Sequence, residues 1–235
     1  MIITSNHNEK LKEIRRLARR RERAESGRFV AEGEDLVSAA RDAGWAPVHL
    51  LAAAGSGLDG EQVEQELLDG VSGLASGART IGIYSARWGV PAGPLCVALW
   101  GVGDPGNVGA IVRSALAFRA SSVVIGPGCA DPFGPKAVRA SMGAIFAVAV
   151  AQAASVADLP GERVALVARG GDALAGPAGG ETTLLIGAER EGLAPDVVAA
   201  CDRVAHIPIA TESLNAAMAA TVALYELSRG GVSGW

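Results

Sequence analysis

The chain has 235 residues, of which 49% are hydrophobic, so it can bury the core of one large domain or of two small ones. Its net charge of −4 argues against a generic nucleic-acid binder, and its three cysteines follow no metal-ligand spacing, which argues against a structural zinc site. The longest apolar run covers residues 142–157, contains Gln152 and is shorter than the roughly 20 residues that a membrane-spanning helix needs. The amino terminus carries no apolar signal segment, and we expect a cytoplasmic protein.

The amino-terminal segment is far more basic than the chain as a whole. The first 30 residues contain nine Lys or Arg against four Glu. Residues 9–28 are predicted to form one amphipathic helix, with Leu11, Ile14, Leu17 and Ala18 on its apolar side and a basic outer face. Such a face is often only solvated, but it can also contact the phosphates of a nucleic acid. Under the second interpretation, the candidate RNA-binding residues are Arg15, Arg16, Arg19, Arg20 and Arg23.

Strands and helices alternate in the first third of the chain, which predicts an α/β domain. The predicted strands cover residues 28–33, 47–53 and 80–85, and the predicted helices beyond the basic one cover residues 34–44 and 60–70. Residues 86–94 are rich in Gly and Pro, which is typical of a connection. We therefore expect an amino-terminal domain at residues 1–84, a linker at 85–94 and a second domain at 95–235.

The second domain begins with the unbroken apolar run LCVALW, which is typical of a strand buried on both faces of a sheet. Further strands are predicted at residues 122–126, 145–151, 163–168, 183–187 and 203–209, and helices at residues 107–118 and 211–227. Strands that alternate with helices predict a mostly parallel sheet, so the fold class is α/β. In such sheets, ligands bind beyond the carboxyl ends of the strands.

The segment GVGDPG, residues 101–106, matches the dinucleotide-binding pattern G-x-G-x-x-G between a strand and a helix. The following strand, however, ends in Gly126 and Pro127, where that pattern needs an acidic residue for the ribose. Pro105 also lacks one of the N–H groups that would face a pyrophosphate. We therefore expect no nicotinamide or flavin cofactor.

Three polar clusters interrupt the apolar second domain. Asn107 is placed to cap a helix, and Arg113 lies six residues further on, where both can line one side of that helix. Glu189 follows a predicted strand, and Ser213 and Asn215 open the last helix, with Ser213 as its predicted cap. A surface arginine, a charged loop and a helix cap would explain the clusters separately. All three lie at or beyond the carboxyl ends of predicted strands, so we expect them to converge on one crevice.

These clusters have the order and spacing of a known motif set. DPGNVG with Arg113, then LIGAEREGL, then IPI followed by SLN resemble the motifs of the SpoU (TrmH-type) RNA ribose 2′-O-methyltransferases, which belong to the SPOUT superfamily. The basic segment and the run RFVAEGEDLVSAA resemble the amino-terminal substrate-binding domain of that family. The resemblance therefore covers nearly the whole chain.

The resemblance implies a methyltransferase domain with a deep trefoil knot, and a homodimer whose active sites draw on both chains. It implies S-adenosylmethionine as the methyl donor, no metal, and an RNA substrate. Ribosomal RNA is expected first, because almost no chain follows Ser228, and transfer RNA second. The residues that would hold the donor are Ile186, Gly187, Ile207, Pro208 and Leu214. The residues that would be catalytic are Asn107, Arg113, Glu189, Ser213 and Asn215.

An arginine is a reluctant general base, because its guanidinium holds its proton up to a pH above about 12. We therefore expect Arg113 to stabilise the charge that develops on the ribose oxygen, and Glu189 to orient either Arg113 or the hydroxyl. Two alternatives stay open at this point. One is an RNA-binding relative that lacks catalysis and does not bind the donor, and the other is a methyltransferase that acts on a base.

Overall fold

The computed structural model describes residues 2–229, which form two sheets, one in each part of the chain. The elements of the first part are α1 (Glu9–Leu17), α2 (Arg20–Ser26), β1 (Arg28–Glu32), α3 (Glu34–Asp42), β2 (His49–Ala53), β3 (Glu61–Val63), α4 (Gln65–Asp69) and β4 (Thr80–Ser85). Their sheet has the order β1-β4-β2-β3, in which β2 and β3 are parallel and the other pairs are antiparallel.

Two short helices replace the single basic helix that the sequence predicts. Leu11, Ile14 and Leu17 are buried as expected, but α1 ends at Leu17 and Ala18 is exposed. Arg23 of α2 stabilises the break, because its Nη1 donates to the carbonyl oxygens of Leu17 at 2.8 Å and of Ala18 at 3.0 Å. The end of a helix leaves such carbonyls without a partner inside the helix, and the returning arginine supplies one.

The segment at residues 60–70, predicted as one helix, forms β3 followed by the short α4. Val63 is fully buried, pairs with Ala53 in a parallel register and forms a further bridge to Ile3. Burial between two neighbouring chain segments therefore overrides the helical spacing of this sequence.

The second part contains a larger sheet with helices along its faces. Its elements are β5 (Leu95–Leu99), α5 (Pro105–Ala117), β6 (Ser122–Ile125), α6 (Pro135–Ser141), β7 (Ala149–Gln152), β8 (Glu162–Val167), β9 (Asp172–Ala173), β10 (Thr182–Ile186), α7 (Pro195–Ala199), β11 (Arg203–His206) and α8 (Ala216–Ser228). The strand order is β7-β6-β5-β10-β8-β11-β9, and every neighbouring pair is parallel. The predicted α/β class with a parallel sheet is confirmed.

One row of paired residues crosses this sheet near the carboxyl ends of its strands. The row runs through Gln152, Ile125, Leu99, Ile186 and Leu166. Because these residues are in register, their side chains lie on the same face of the sheet. This face carries the core that contains α5 and α8.

Several predicted boundaries shift in the structure. The strand predicted from residue 145 starts only at Ala149, because Ala144–Phe146 form a 3₁₀ turn whose side chains pack into the core. Helix α5 begins at Pro105 and is capped by Asp104, while α8 begins after its cap Asn215, later than predicted. Helix α6 is short, starts with a proline and was missed by the sequence prediction.

An aromatic junction holds the two parts of the chain together. Six of the ten aromatic residues form it, namely Phe29, Trp45, Tyr84, Trp88, Phe133 and Phe146. Nε1 of Trp45 donates to the carbonyl oxygen of Phe146 at 2.8 Å. Next to the aromatic rings, Nε of the buried Arg23 donates to Oδ2 of Asp131 at 2.7 Å.

The Gly- and Pro-rich segment at residues 85–94 is fixed by backbone hydrogen bonds. The N–H of Ala86 donates to the carbonyl of Gly27 at 2.7 Å, and the N–H of Gly89 donates to the carbonyl of Val150 at 2.8 Å. The predicted linker thus lies along the β7 edge of the second sheet, and its role as a domain boundary stays a prediction. Among the helices of residues 2–229, none combines the length and the apolar character that crossing a bilayer requires.

Candidate active site

The first polar cluster lies in the loop that leads from β5 into α5. Asp104 caps this helix, with Oδ1 accepting a hydrogen bond from the N–H of Asn107 at 3.0 Å. The predicted cap was Asn107, so this assignment was wrong by one turn. Because Asp104 takes over the cap, the side-chain amide of Asn107 is available for other partners.

A chain of hydrogen bonds joins all three polar clusters. Nδ2 of Asn107 donates to Oε1 of Glu189 at 2.7 Å, and Nδ2 of Asn215 donates to Oδ1 of Asn107 at 3.1 Å. The partners are 82 and 108 residues apart in the sequence, so only the fold can bring them together. The predicted convergence of the three clusters on one place is therefore present in the structure.

Asn215 explains most of the polar start of the last helix. Its Oδ1 accepts from the N–H groups of Ala217 at 2.9 Å and Met218 at 3.3 Å, while its Nδ2 makes the bond to Asn107. The cap of α8 is thus Asn215, and the predicted cap, Ser213, was wrong. The side chain of Ser213 forms no hydrogen bond within residues 2–229, and it lines a neighbouring pocket.

This pocket lies at the carboxyl ends of β8, β10 and β11, beside the hydrogen-bond chain. We call it the β10 pocket, and its wall includes Leu166, Ile186, Gly187, Glu189, Ile207, Ser213 and Leu214. It contains four of the five residues predicted to hold the methyl donor. The fifth, Pro208, lines an adjoining pocket next to His206. The sequence did not predict Leu166, because only the strand order shows that the ends of β8 and β10 are neighbours.

Gly187 is required by a close approach of the backbone. A Cβ atom at this position would lie 2.2 Å from the carbonyl carbon of Gly192, which no real contact allows. The two segments approach so closely because Ala188 and Gly192 exchange two backbone hydrogen bonds of 3.0 Å each. The resulting tight loop carries Glu189 and holds it toward Asn107.

The segment at residues 207–214 forms the other side of the β10 pocket. Its backbone makes no hydrogen bond to another backbone group within residues 2–229. Backbone N–H and C=O groups need partners when they are removed from water, so a ligand in this pocket can bind to them directly. Apolar side chains of Ile207 and Leu214 provide the surface on which a flat ring could pack.

Arg113 does not join the hydrogen-bond chain. It is exposed and, within residues 2–229, forms no hydrogen bond or ion pair with Glu189 or Asn215. Six residues turn an α-helix through about 600°, so the side chains of Asn107 and Arg113 point roughly 120° apart. The prediction that both side chains line one side of α5 was therefore wrong. A catalytic role of Arg113 stays a prediction.

The basic amino-terminal residues divide into two groups. Arg15, Arg16, Arg19 and Arg20 are exposed, and Arg15 donates to the carbonyl oxygen of Asn6 at 3.2 Å. Arg23 was predicted to belong with them but is only 8% exposed, and it is bound to Asp131 and to two carbonyls. It is therefore excluded from the exposed basic surface.

Two groups at this loop, Asp104 and Cys129, have shifted pKa values. A hydrogen bond from Nζ of Lys136 at 2.8 Å, with a further one from the N–H of Asn107, lowers the pKa of Asp104 below its ordinary value. Burial raises the pKa of Cys129, so this thiol is neutral at physiological pH. Within the part of the chain that the structure describes, no group of three or more His, Cys, Asp or Glu is arranged to hold a metal ion.

Comparison with known families identifies the class of protein. The model of the SpoU rRNA Methylase family matches residues 94–225, and the model of the MRM3-like substrate binding domain matches residues 8–81. The first match covers more than half of the chain. The chain therefore belongs to the SpoU rRNA methylase family, as its motifs indicated.

The relatives agree with this assignment. An rRNA methyltransferase from Sinorhizobium meliloti, also solved with AdoMet bound, is 30% identical with a TM-score of 0.88 over 99% of both chains. The SpoU methyltransferase AviRb from Streptomyces viridochromogenes, in complex with the cofactor AdoMet, is 27% identical with a TM-score of 0.85 over 97% of this chain and 100% of that one. An uncharacterized tRNA/rRNA methyltransferase of Mycobacterium tuberculosis is 35% identical over 68% of this chain, and the match spans only 60% of that protein's length.

Proposed function

We propose that this protein transfers a methyl group from S-adenosylmethionine to the 2′-hydroxyl of a ribose in structured RNA, with ribosomal RNA as the first candidate and transfer RNA as the second. The observation that carries the proposal is the hydrogen-bond chain from Glu189 through Asn107 to Asn215, which unites the three family motifs beside the β10 pocket. A relative from Streptomyces viridochromogenes, 35% identical over 56% of this chain, is a 23S rRNA (uridine(2479)-2′-O)-methyltransferase.

The β10 pocket fits the proposed methyl donor. Leu166, Ile207 and Leu214 offer an apolar surface for its adenine ring, and backbone groups of residues 207–214, which have no backbone partner within residues 2–229, can bind the polar edge of that ring. When bound, the donor supplies an electrophilic methyl group on a sulfonium. The carboxylate of Glu189 on the pocket wall complements this positive charge and can also accept a hydrogen bond from the ribose hydroxyl.

We assign the remaining roles according to what each side chain can reach. Asn107 and Asn215 fix the orientation of Glu189. The ribose oxygen is then held in line with the methyl group, which lowers the entropic cost of reaching the transition state. Ser213, whose hydroxyl has no partner within residues 2–229, binds the ribose or the donor. Arg113 stabilises the negative charge on the attacking oxygen and holds the adjacent phosphate.

Because Arg113 is exposed and does not line the β10 pocket of its own chain, we propose that it acts in the pocket of a second subunit. Helices α5 and α8 pack against each other, and both expose large apolar residues, as one would expect of a homodimer contact. They are Leu116, Met218, Val222 and Tyr225, each at least 43% exposed. A homodimer built on these helices would bury this surface and bring each Arg113 to the partner.

The proposal includes the domain limits at residues 84 and 94 and the deep trefoil knot near the carboxyl end. Two features support the knot. Strand β10 is inserted between β5 and β8, and the segment before it packs closely against the last helix. In that segment, the N–H of Ala178 donates to the carbonyl of Leu227 at 3.0 Å, and a Cβ at Gly176 would lie 1.9 Å from the carbonyl oxygen of Glu226.

The direct test combines donor binding with methyl transfer. Calorimetry should detect binding of S-adenosylmethionine. Tritiated methyl groups should pass to one species of total RNA, and the phosphodiester bond next to the labelled ribose should resist alkaline cleavage. Label on a base would identify a base methyltransferase. Failure to bind the donor would identify a non-catalytic RNA-binding relative, and either result would overturn the proposal.

The shared active site makes a sharper prediction for Arg113→Ala. We expect methyl transfer to fall about 10²- to 10³-fold, because charge stabilisation at the reacting oxygen is lost. The affinity for S-adenosylmethionine should change less than twofold, and Arg41→Ala, at another exposed arginine, should leave both quantities unchanged.

Mixing two inactive variants tests which subunit supplies the arginine. Glu189→Ala removes the pocket carboxylate, and Arg113→Ala removes the guanidinium. If the site is shared, mixed dimers should restore about a quarter of the wild-type rate, because half of the dimers are mixed and each of these holds one intact site. Absence of any recovery after confirmed subunit exchange would place both residues in one subunit.

A further inference from the structure

A second groove opens between the basic segment and the sheet of the second part. We call it the Trp88 groove, and its wall includes Arg20, Arg28, Trp88, Ile125, Phe133 and Gln152. Its volume is about 310 Å³, within the range of pockets that hold small ligands. None of the catalytic or donor-binding residues proposed above lines it.

Trp88 is exposed and yet held in place. The residue is 43% exposed, although its ring packs perpendicular to Phe133 with 5.0 Å between the centroids. Backbone hydrogen bonds fix the chain on both sides of it, at Ala86 and at Gly89. A rigid, exposed aromatic ring costs little entropy when a second ring stacks on it.

Two polar side chains that line the groove with this ring have no partner within residues 2–229. Arg20 and Gln152 are exposed, and within residues 2–229 neither forms a side-chain hydrogen bond or an ion pair. The other cations of the groove are neutralised, because Arg28 pairs with Glu13 at 2.8 Å and Arg23 pairs with Asp131. The groove thus offers an aromatic face, one guanidinium for a phosphate, and one carboxamide that both donates and accepts.

The groove and the β10 pocket open at the same end of the same sheet. Gln152 and Ile125 line the groove, Ile186 and Leu166 line the pocket, and all four belong to the row of paired residues that crosses the sheet. Gln152 and Ile186 are three strand spacings apart, roughly 14 Å at about 4.8 Å per spacing. This distance corresponds to about four nucleotides at a stacked rise of 3.4 Å each.

We infer that the Trp88 groove takes up one unpaired base of the RNA substrate, about four nucleotides from the methylated ribose. The base stacks on Trp88, Gln152 binds its hydrogen-bonding edge, and Arg20 binds the adjoining phosphate. Aromatic stacking of unpaired bases is the usual way in which proteins recognise single-stranded RNA. This inference rests on the proposed function, since it assumes that the protein methylates RNA with a donor bound in the β10 pocket.

The test compares Trp88→Leu with Trp88→Phe, which keeps an aromatic ring. Binding is measured by fluorescence anisotropy with a fluorescein-labelled, single-stranded RNA of 12 mixed nucleotides. We expect Trp88→Leu to weaken binding about tenfold, the typical effect of losing one stacked base, and Trp88→Phe to retain affinity within threefold. In methyl transfer to total RNA, Trp88→Leu should raise KM by a similar factor and leave kcat unchanged.

The controls separate this inference from the proposed function and from simple misfolding. Val90→Ala, at an exposed position two residues away, should behave as wild type, and all variants should stay folded at the assay temperature and keep the wild-type donor affinity. If the wild type binds RNA through Trp88 but does not bind S-adenosylmethionine, only the proposed function fails. If Trp88→Leu binds RNA as tightly as wild type, or if it changes the oligomeric state instead, the groove does not hold a base and the inference fails.

Discussion

The aromatic junction and the β10 pocket use polar groups in opposite ways. In the junction, polar groups are bound within the chain. The guanidinium of Arg23 has three partners, and Nε1 of Trp45 donates to a carbonyl. In the pocket, residues 207–214 make no backbone–backbone hydrogen bond, and the hydroxyl of Ser213 has no partner, within residues 2–229.

This difference separates the residues that stabilise the fold from those that are available to a ligand. A buried polar group that already has its partners lowers the free energy of the folded state and has nothing left to bind. A polar group at the rim of a pocket gains its partner only when a ligand arrives. Substitutions in the junction should therefore change the free energy of unfolding, while substitutions in the pocket should mainly change methyl transfer.

The largest expected effect on stability is that of Arg23→Met. Removing the guanidinium leaves the largely buried carboxylate of Asp131 without its ion pair and the carbonyls of Leu17 and Ala18 without a donor. Breaking one side of such a pair costs about 3–5 kcal/mol. Urea unfolding followed by circular dichroism measures this loss.

Arg20→Met is the matched control, because Arg20 lies on the same helix and is exposed. Its free energy of unfolding should stay within about 0.5 kcal/mol of wild type. A loss below 1 kcal/mol for Arg23→Met would show that the ion pair does not hold the junction, and the contrast between the two regions would then rest on the aromatic rings alone.

A smaller effect should appear at alkaline pH, again in the junction. Burial raises the pKa of Tyr84 to about 12, whereas an unfolded tyrosine titrates near 10. The folded state therefore keeps the phenol proton longer, so its stabilising contribution is complete below pH 10 and is lost progressively as the pH rises from about 10 to 12.

Urea midpoints measured between pH 8 and pH 11.5 test this expectation. The stability of Tyr84→Phe should fall less steeply above pH 10 than that of wild type. Tyr225→Phe, at a residue that is 55% exposed, should leave the steep fall unchanged. Equal slopes for Tyr84→Phe and wild type would mean that burial of this phenol does not couple folding to pH.

The sequence predicts the second sheet and the meeting of the motifs for the same physical reason. Continuous apolar runs such as Leu95–Leu99 are typical of strands buried on both faces, and sheets built from such strands are usually parallel. Polar residues after such strands must then gather at one edge, which is where Glu189 and Asn107 are hydrogen-bonded.

Other features depend on tertiary contacts that a sequence pattern does not contain. Asp, Asn and Ser cap helices about equally well, so the pattern could not choose Asp104 over Asn107, or Asn215 over Ser213. The inward turn of Arg23 depends on Asp131, which is 108 residues away. The place of β10 beside β8 in the sheet is likewise fixed by packing and not by any local signal.

The smallest expected change in stability concerns Asn215. The Oδ1 atom of this side chain caps α8, and its Nδ2 atom donates to Asn107 in the proposed active site. Asn215→Ala removes the cap of α8 and should cost about 1 kcal/mol of unfolding free energy. Asn215→Ser keeps an oxygen that can cap the helix, so it should cost only a few tenths of that amount, but it has no amide N–H to donate to Asn107.

Methyl transfer should therefore separate from stability in this pair of variants. Both lose the bond that orients Asn107 and, through it, Glu189, so both should transfer methyl groups about three- to tenfold more slowly, the typical range for one hydrogen bond. Single-turnover rates at saturating donor, set beside urea midpoints, give the two quantities. If the serine variant transfers at the wild-type rate, Asn215 serves the helix alone and the polar chain of the active site ends at Asn107.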